Sequence, residues 1–144
     1  MAEHSLDPQV PETAIFILSD DPVSTRLLRQ ILGHRGYRTQ EVRSPAALRA
    51  AITKQRPHLI MLDEPSAGLS PKLTEMVFQK LLEVRALGVT VLVVEQNAKA
   101  ALAISDRGYV LAEGQQRFTG TARELLSSPE VGELYLGTRT RLAA

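Results

Sequence analysis

The chain has 144 residues, of which 44% are hydrophobic and 23% are charged, so its length and composition fit one globular domain. It contains no cysteine, which excludes disulfides, thiolate nucleophiles and cysteine-ligated zinc. A net charge of +1 and an aromatic content of 4% argue against a nucleic acid partner. No apolar run approaches the about 20 residues of a membrane helix, and the start lacks a signal-peptide pattern. We therefore expect a cytoplasmic protein without membrane insertion.

Strand-length apolar runs alternate with stretches of helical period along most of the chain. This alternation predicts an α/β domain with a mainly parallel sheet. The polar, proline-containing start buries too little apolar surface to offset its ordering entropy. We predict tails over residues 1–12 and 138–144 and a single domain over 13–137.

The first strand and helix carry clear local signals. The aliphatic run Ala14–Leu18 predicts the strand. Asp21 can cap the helix that follows, and Pro22 suits its first position because the missing N–H would be unpaired anyway. Apolar residues recurring at helical spacing predict the buried face of this helix: Val23, Leu27, Leu28, Ile31 and Leu32.

A central strand ends in two acids. Arg38–Val42 predicts a short second strand, and Ser44 can cap a second helix. The apolar run Leu59–Leu62 is typical of a parallel strand buried on both faces. It leads directly into Asp63 and Glu64.

The second half of the chain continues the alternation. We predict, in order, a third helix from Pro71, a fourth strand over Val89–Val94, a small helix over Ala98–Ile104, and antiparallel strands over Tyr109–Ala112 and Gln116–Thr119. Glu113 and Gly114 form the tight turn of this hairpin. Thr121 caps the last helical turns, which break at Pro129.

Two apolar patterns in this half predict packing surfaces. The buried face of the third helix would comprise Leu73, Met76, Val77, Leu81 and Val84. A C-terminal patch that could support a homodimer would comprise Val131, Leu134, Tyr135 and Leu136.

Four segments of the front half match one known family. They are Ile-Leu-Ser-Asp-Asp-Pro at 17–22, Gly-Tyr at 36–37, Ser-Pro-Ala-Ala-Leu at 44–48 and Arg-Pro-His-Leu-Ile-Met-Leu-Asp at 56–63. On these residues the front half, 13–63, resembles the receiver domain of two-component response regulators. The resemblance implies that Asp20 ligates Mg²⁺ and that Asp63 accepts a phosphoryl group.

Four segments of the back half match a different family. They are Ile-Met-Leu-Asp-Glu-Pro-Ser-Ala-Gly-Leu-Ser-Pro at 60–71, Val-Val-Glu-Gln-Asn-Ala at 93–98, Asp-Arg-Gly-Tyr-Val-Leu at 106–111 and Glu-Leu-Tyr-Leu-Gly at 133–137. The back half, 59–137, is thus similar to the end of an ATP-binding-cassette (ABC) ATPase of the branched-chain amino acid importer type. The resemblance implies a Walker B role for Asp63 on Mg²⁺ and polarisation of water by Glu64. Gln96 stands where most cassettes have a His.

Neither resemblance brings a complete reaction centre. The 144 residues contain no Gly-rich loop ending in Lys-Ser/Thr to cradle phosphates, and no cassette signature segment. On the receiver side, Ser19 replaces the first acid, Val94 or Glu95 falls where a hydroxyl belongs, and Ala112 takes the lysine position. We therefore expect no enzymatic activity and no ATP binding.

The two resemblances overlap in one strand, so the sequence favours a hybrid of two families, of engineered rather than natural origin. Repulsion among clustered carboxylates would be relieved by weak Mg²⁺ binding at Asp20 and Asp63, with Asp21 and Glu64 as further ligands; no cofactor is required. The simpler alternative is that Asp21 only caps its helix and Glu64 is solvated. Two functional alternatives stay open: a degenerate receiver phosphorylated on Asp63, and a remnant nucleotide-binding subunit of an amino acid ABC transporter.

The predicted fold is a three-layer flavodoxin-like α/β sandwich. Its mainly parallel sheet would have the strand order 2-1-3-4-5, with an added antiparallel strand beside the fifth. In such a sheet the carboxyl ends of the strands share one edge, where ligands bind. The sequence therefore places Asp20, Asp21, Asp63 and Glu64 at that edge, with Glu95 and Glu113 as further candidates.

Overall fold

A computed structural model of the chain describes residues 14–135. The tails predicted over residues 1–12 and 138–144 lie outside this range. The elements follow in the order β1 (Ala14–Leu18), α1 (Pro22–His34), β2 (Arg38–Val42), α2 (Pro45–Lys54), β3 (Leu59–Asp63), α3 (Pro71–Ala86), β4 (Thr90–Val94), α4 (Ala98–Ala103), β5 (Arg107–Ala112), β6 (Gln115–Thr121), α5 (Ala122–Ser127) and α6 (Pro129–Tyr135).

The chain forms two compact units, whereas its length predicted a single domain over 13–137. Within the described residues, the first unit comprises 14–65 together with Glu83–Val94. The second unit comprises Ser66–Leu82 together with 95–135.

The first unit is built on a four-stranded parallel sheet of order β2-β1-β3-β4. The central strands β1 and β3 bury Phe16, Ile17 and Ile60 to 1% exposure each. In β1 four successive residues are buried, which explains its uninterrupted apolar run, whereas β3 alternates between half-buried and buried residues. The expected α/β fold with a mainly parallel sheet is confirmed.

Side-chain caps begin both helices of this unit as predicted. Asp21 accepts hydrogen bonds from the Val23 and Ser24 N–H groups at the start of α1. Ser44 accepts from the Ala47 N–H at the start of α2. These bonds satisfy amides that have no partner within the helix.

The predicted buried face of α1 is largely wrong. Val23, Leu27 and Ile31 are 74%, 56% and 50% exposed, respectively. The buried position is Thr25, at 2%, and Leu28 and Leu32 are half-buried. Periodicity identified an apolar stripe, but in the described part of the first unit no element covers Val23, Leu27 and Ile31.

The second unit contains the antiparallel pair β5–β6 in a separate two-stranded sheet. The predicted order placed β5 beside β4, and the structure does not form that five-stranded sheet from the residues it describes. Instead β5 pairs antiparallel with β6, and it alternates between exposed and half-buried residues. This is the pattern of a strand covered on one face only, as in an antiparallel ladder.

The turn and caps of the second unit agree with the sequence. Glu113 and Gly114 both have positive φ, of 51° and 70°, as a tight two-residue hairpin turn requires. Thr121 and Glu124 form a reciprocal capping box at α5. A small core of Leu102, Ala122, Leu125 and Val131 lies beneath the hairpin, with Val110 and Phe118 packed against it.

Two predicted apolar surfaces need correction. In α3 the buried residues are Phe78 and Leu81, whereas Leu73 and Met76 are 48% and 55% exposed. In the C-terminal patch, Val131 is buried in the small core at 1% exposure and so cannot contribute to an exposed dimer surface. Tyr135 is half-buried and meets the Phe118 ring edge-to-face at 6.1 Å, and Leu136 lies outside the described range.

No helix within residues 14–135 has both the length and the apolar character needed to cross a membrane.

Candidate functional site

The carboxyl ends of β1 and β3 carry the acidic residues that the sequence singled out. The two strands are hydrogen-bonded neighbours, with Leu18 in register with Leu62. Asp20 therefore follows one strand at the same edge where Asp63 ends the other. Asp20 is exposed and Asp63 is half-buried.

Ser19 connects the residues at this edge by two side-chain hydrogen bonds. Its Oγ donates to Asp63 Oδ2 at 3.3 Å and accepts from the Asp21 N–H at 3.1 Å. Sequence reasoning treated Ser19 only as a missing acid and gave it no role. The available signal was its position directly after β1, opposite the acid that ends β3.

The side chain of Asp21 makes its hydrogen bonds to the first turn of its own helix, α1. Besides the hydrogen bonds from the two backbone N–H groups, it accepts one from the Ser24 hydroxyl. The pKa of Asp21 is lowered first by that Ser24 hydroxyl and then by the Val23 and Ser24 N–H groups. All three bonds favour the charged carboxylate. The geometry agrees with the simpler alternative, in which Asp21 is a helix cap.

Glu64 has an unusual backbone. Its backbone φ is +49°, a left-handed value that residues other than glycine and asparagine rarely adopt. Its N–H donates to the Val94 carbonyl at 2.8 Å, which ties the residue to the end of β4. The chain leaves β3 in a sharp turn fixed from the neighbouring strand, and Glu64 lies half-buried in that turn.

An open cavity of about 290 Å³ lies beside Asp63 in the first unit. Its walls are almost entirely apolar and include Leu27, Met61 and Leu92. Among residues 14–135, Ser24 and Asp63 are the only polar side chains that line it, and no Lys or Arg does. A phosphate-binding site needs cationic groups or converging N–H donors, so this cavity is not a phosphate cradle.

The fit to a metal ion is limited. Over residues 14–135, no group of three or more His, Asp or Glu side chains is arranged to hold a metal. The four carboxylates Asp20, Asp21, Asp63 and Glu64 therefore do not form one ligand cluster. Mg²⁺ needs only one or two carboxylates with retained water, so the prediction of a weak site at Asp20 and Asp63 stays a prediction.

The other predicted residues belong to the second unit. Glu95 accepts from the Ser66 N–H at 2.8 Å and from the Asn97 N–H at 3.2 Å, so both carboxylate oxygens order the local chain. Gln96 is exposed immediately before α4. Glu113 lies at the hairpin tip and accepts from Arg117 Nη2 at 3.1 Å.

Comparison with known proteins gives consistent sequence relatives. The chain is 45% identical over 89 residues to the high-affinity branched-chain amino acid transport ATP-binding protein BraG of Pseudomonas aeruginosa, covering 62% of this chain and 37% of that protein. It is 43% identical over 96 residues to the probable branched-chain amino acid transport ATP-binding protein LivF of Archaeoglobus fulgidus, covering 66% and 40%.

Among solved structures, the chain is similar to cbiO1 of Clostridium perfringens, described as part of the ABC transporter complex cbiONQ. The TM-score is 0.52 at 26% identity, over 60% of this chain and 35% of that one. No protein-family model matches the chain.

These similarities change the interpretation of the sequence. The chain spans about two fifths of the length of the curated relatives it matches. Nothing in them supports a receiver domain in the front half or an engineered hybrid. The relatives are named as ATP-binding proteins. The C-terminal region of this chain is homologous to part of the ATP-binding proteins of branched-chain amino acid transport.

Proposed function

We propose that the chain is a remnant nucleotide-binding subunit of an amino acid ABC transporter, acting together with a complete ATP-binding subunit. The observation that carries this proposal is the acid pair after β3. Asp63 ends a buried parallel strand, and Glu64 follows in a turn held by the Val94 carbonyl of β4. The similarity of the C-terminal region to ATP-binding proteins supports the same assignment.

In this proposal the two acids have separate tasks. Asp63, half-buried and oriented by Ser19, would hold the Mg²⁺ that accompanies the nucleotide, with Asp20 as a second carboxylate at the same edge. Mg²⁺ would supply charge neutralisation on phosphate oxygens. Glu64, fixed by its backbone, would orient or polarise a water molecule.

The groups that bind phosphate would come from the partner. The 144 residues contain no Gly-rich loop ending in Lys-Ser/Thr, and the cavity beside Asp63 has no cationic lining. Phosphoryl transfer depends on positioning and charge neutralisation, so two carboxylates alone do not catalyse it. We therefore propose that the chain by itself does not hydrolyse ATP and that it binds nucleotide only in the complex.

The test uses a fluorescent ATP analogue and phosphate release. The full chain alone should release no phosphate above the blank. Mixed with a complete branched-chain amino acid ATP-binding protein, it should change that protein's affinity for the Mg²⁺-bound analogue, and Asp63→Asn should abolish the change. Lys72→Gln, an exposed change outside the acid pair, is the control and should behave as the parent chain. An Asp63→Asn chain that still produced the full change would refute the role of the acid pair.

One observation favours a second candidate, a receiver module that accepts a phosphoryl group on Asp63. Within the first unit, β1 lies directly beside β3, and Asp20 and Asp63 therefore share an edge. Incubation with acetyl phosphate and Mg²⁺ should then add the mass of one phosphoryl group, and Asp63→Asn should prevent the gain. A chain whose mass stays unchanged would eliminate this candidate.

A further inference from the structure

The outer edge of β4 is unpaired in the part of the chain that the structure describes. The sheet of the first unit ends at this strand, which hydrogen-bonds to β3 on one side only. Its sequence, Thr-Val-Leu-Val-Val, contains no charge, proline or glycine. Natural edge strands usually carry such features because an unprotected edge is a template for another strand.

The hydrogen-bond pattern shows which groups are available at this edge. Thr90 N–H donates to the His58 carbonyl, and the Val94 carbonyl accepts from Glu64 N–H, so both residues direct their backbone groups towards the β3 side. Backbone direction alternates along a strand. Val91 and Val93 therefore present their N–H and C=O groups to the open edge.

The face beside this edge is also apolar and uncovered. Leu92 and Val94 are 41% and 51% exposed and line the open cavity with Met61. Leu27, from the exposed stripe of α1, also lines this cavity. Exposed apolar surface that is continuous with an open strand edge is typical of an interaction site.

We propose that β4 pairs antiparallel with β4 of a second copy of this chain, joining the two sheets across a two-fold axis at Leu92. This symmetry sets Val91 opposite the second copy's Val93, and each such pair exchanges two N–H···O=C bonds. Leu92 meets its own symmetry mate in a non-hydrogen-bonded pair, where side chains approach most closely. The open cavities of the two copies then lie side by side on the same face of the joined sheet.

The absence of charge on β4 permits a second copy of the same strand to pair with it. Every residue of the strand is uncharged, so a second β4 meets no like charge at any position. The first charge beyond the strand is Glu95, whose two oxygens are already held by the Ser66 and Asn97 N–H groups of its own chain. A ladder of five residues is short, and stable dimers bury about 1,200 Å² or more in total. The exposed Leu92 and Val94 supply additional apolar area next to the ladder.

This association goes beyond the proposed nucleotide function because it needs neither nucleotide nor a complete ATP-binding subunit. Sedimentation equilibrium of the full chain without nucleotide should show a reversible monomer–dimer equilibrium. Leu92→Lys places two like charges opposite each other and should weaken the dimer about tenfold or more. Val23→Lys makes the same charge change at a 74% exposed site on α1 and should leave the equilibrium unchanged.

The two-fold axis allows a stricter test. Leu92→Lys and Leu92→Glu chains should each dimerise more weakly than the parent when alone, and should dimerise more tightly when mixed, because opposite charges then face each other. Circular dichroism of both variants checks that the fold is intact. The chain has no cysteine, so Leu92→Cys should form a disulfide-linked dimer on mild oxidation, whereas Val23→Cys should not.

Three results would overturn the proposal. One is a chain that sediments as a monomer at every soluble concentration. Another is equal weakening by Leu92→Lys and Val23→Lys, which would place the interface elsewhere. The third is a folded Leu92→Lys and Leu92→Glu pair that fails to dimerise on mixing.

Discussion

Glu64 has a backbone conformation that ordinarily belongs to glycine, with φ at +49°. Left-handed φ in other residues costs on the order of 1 kcal/mol. Glu64→Gly and Glu64→Ala both remove the carboxylate, but only glycine relieves the backbone. We expect Glu64→Gly to be about 1 kcal/mol more stable than Glu64→Ala in urea unfolding. Equal stabilities would show that the turn carries no strain.

Asp21 links helix capping to pH. Its pKa is lowered by the Ser24 hydroxyl first and by two backbone N–H groups next, so it binds its proton less tightly folded than unfolded. Its contribution to stability is therefore present above the unfolded pKa of about 4 and is lost as pH falls through the lower folded value. Glu124 behaves alike, because the Thr121 N–H and then the Thr121 hydroxyl lower its pKa.

Thermal unfolding against pH checks this assignment. Asp21→Asn keeps a capping oxygen without a titrating group, so its melting temperature should fall less than that of the parent chain between pH 5 and pH 2. Asp21→Ala should be less stable than the parent at pH 7, and this difference in stability should disappear in acid, where the parent's carboxylate is protonated. Parallel curves for the parent and Asp21→Asn would contradict the assigned pKa direction.

At the scale of elements, the packing of β5 against α4 and α5 depends on the absence of a side chain at Gly108. A Cβ at Gly108 would lie 2.6 Å from Leu102 Cδ2 and 2.7 Å from Leu125 Cδ1, inside van der Waals contact. We expect Gly108→Ala to destabilise the second unit by about 1–3 kcal/mol through overpacking.

Gly33→Ala is the matched control for this substitution. Nothing lies within 4 Å of a Cβ at Gly33, which sits in the last turn of α1. Alanine there should be neutral or stabilise by about 0.5–1 kcal/mol, because glycine loses more backbone entropy in a helix. Denaturant unfolding of both variants measures the difference, and an undiminished stability in Gly108→Ala would refute the close packing.

Local signals explain which elements were predictable. The caps at Asp21, Ser44 and Thr121 and the turn at Glu113 depend on a few neighbouring residues, and the structure confirms them. The burial of the α1 stripe and the partner of β5 depend on distant elements, and both were mispredicted. Periodicity shows that a helix has an apolar face but not what covers that face.

The candidate site also combines features that the sequence predicts with features that depend on residues distant in sequence. Parallel neighbours bring Asp20 and Asp63 to one edge, which the strand assignments alone predict. The hydrogen bond from Ser19 to Asp63 and the left-handed turn at Glu64 have no pattern in the sequence, since serine and glutamate ordinarily signal neither. The carboxylate of Glu95 was expected at this edge, but its orientation follows from amides that fold beside it.

At the scale of the whole molecule, the chain combines the adjacent acids Asp63 and Glu64 with 144 residues that contain no phosphate loop. Its two units have separate cores, one centred on Phe16 and Ile60 and the other on Leu125 and Val131. The homologous region covers only part of the relatives' length. These features together favour a subunit whose nucleotide chemistry depends on another protein.

The most direct test of that dependence is the mass of the complex in solution, measured by light scattering on the full chain mixed with a complete branched-chain amino acid ATP-binding protein. With Mg²⁺ and ATP, we predict a complex containing both proteins, which Asp63→Asn weakens and Lys72→Gln leaves intact. If light scattering showed the two proteins as separate species with and without nucleotide, or if the chain alone hydrolysed ATP steadily, this proposed dependence would be contradicted.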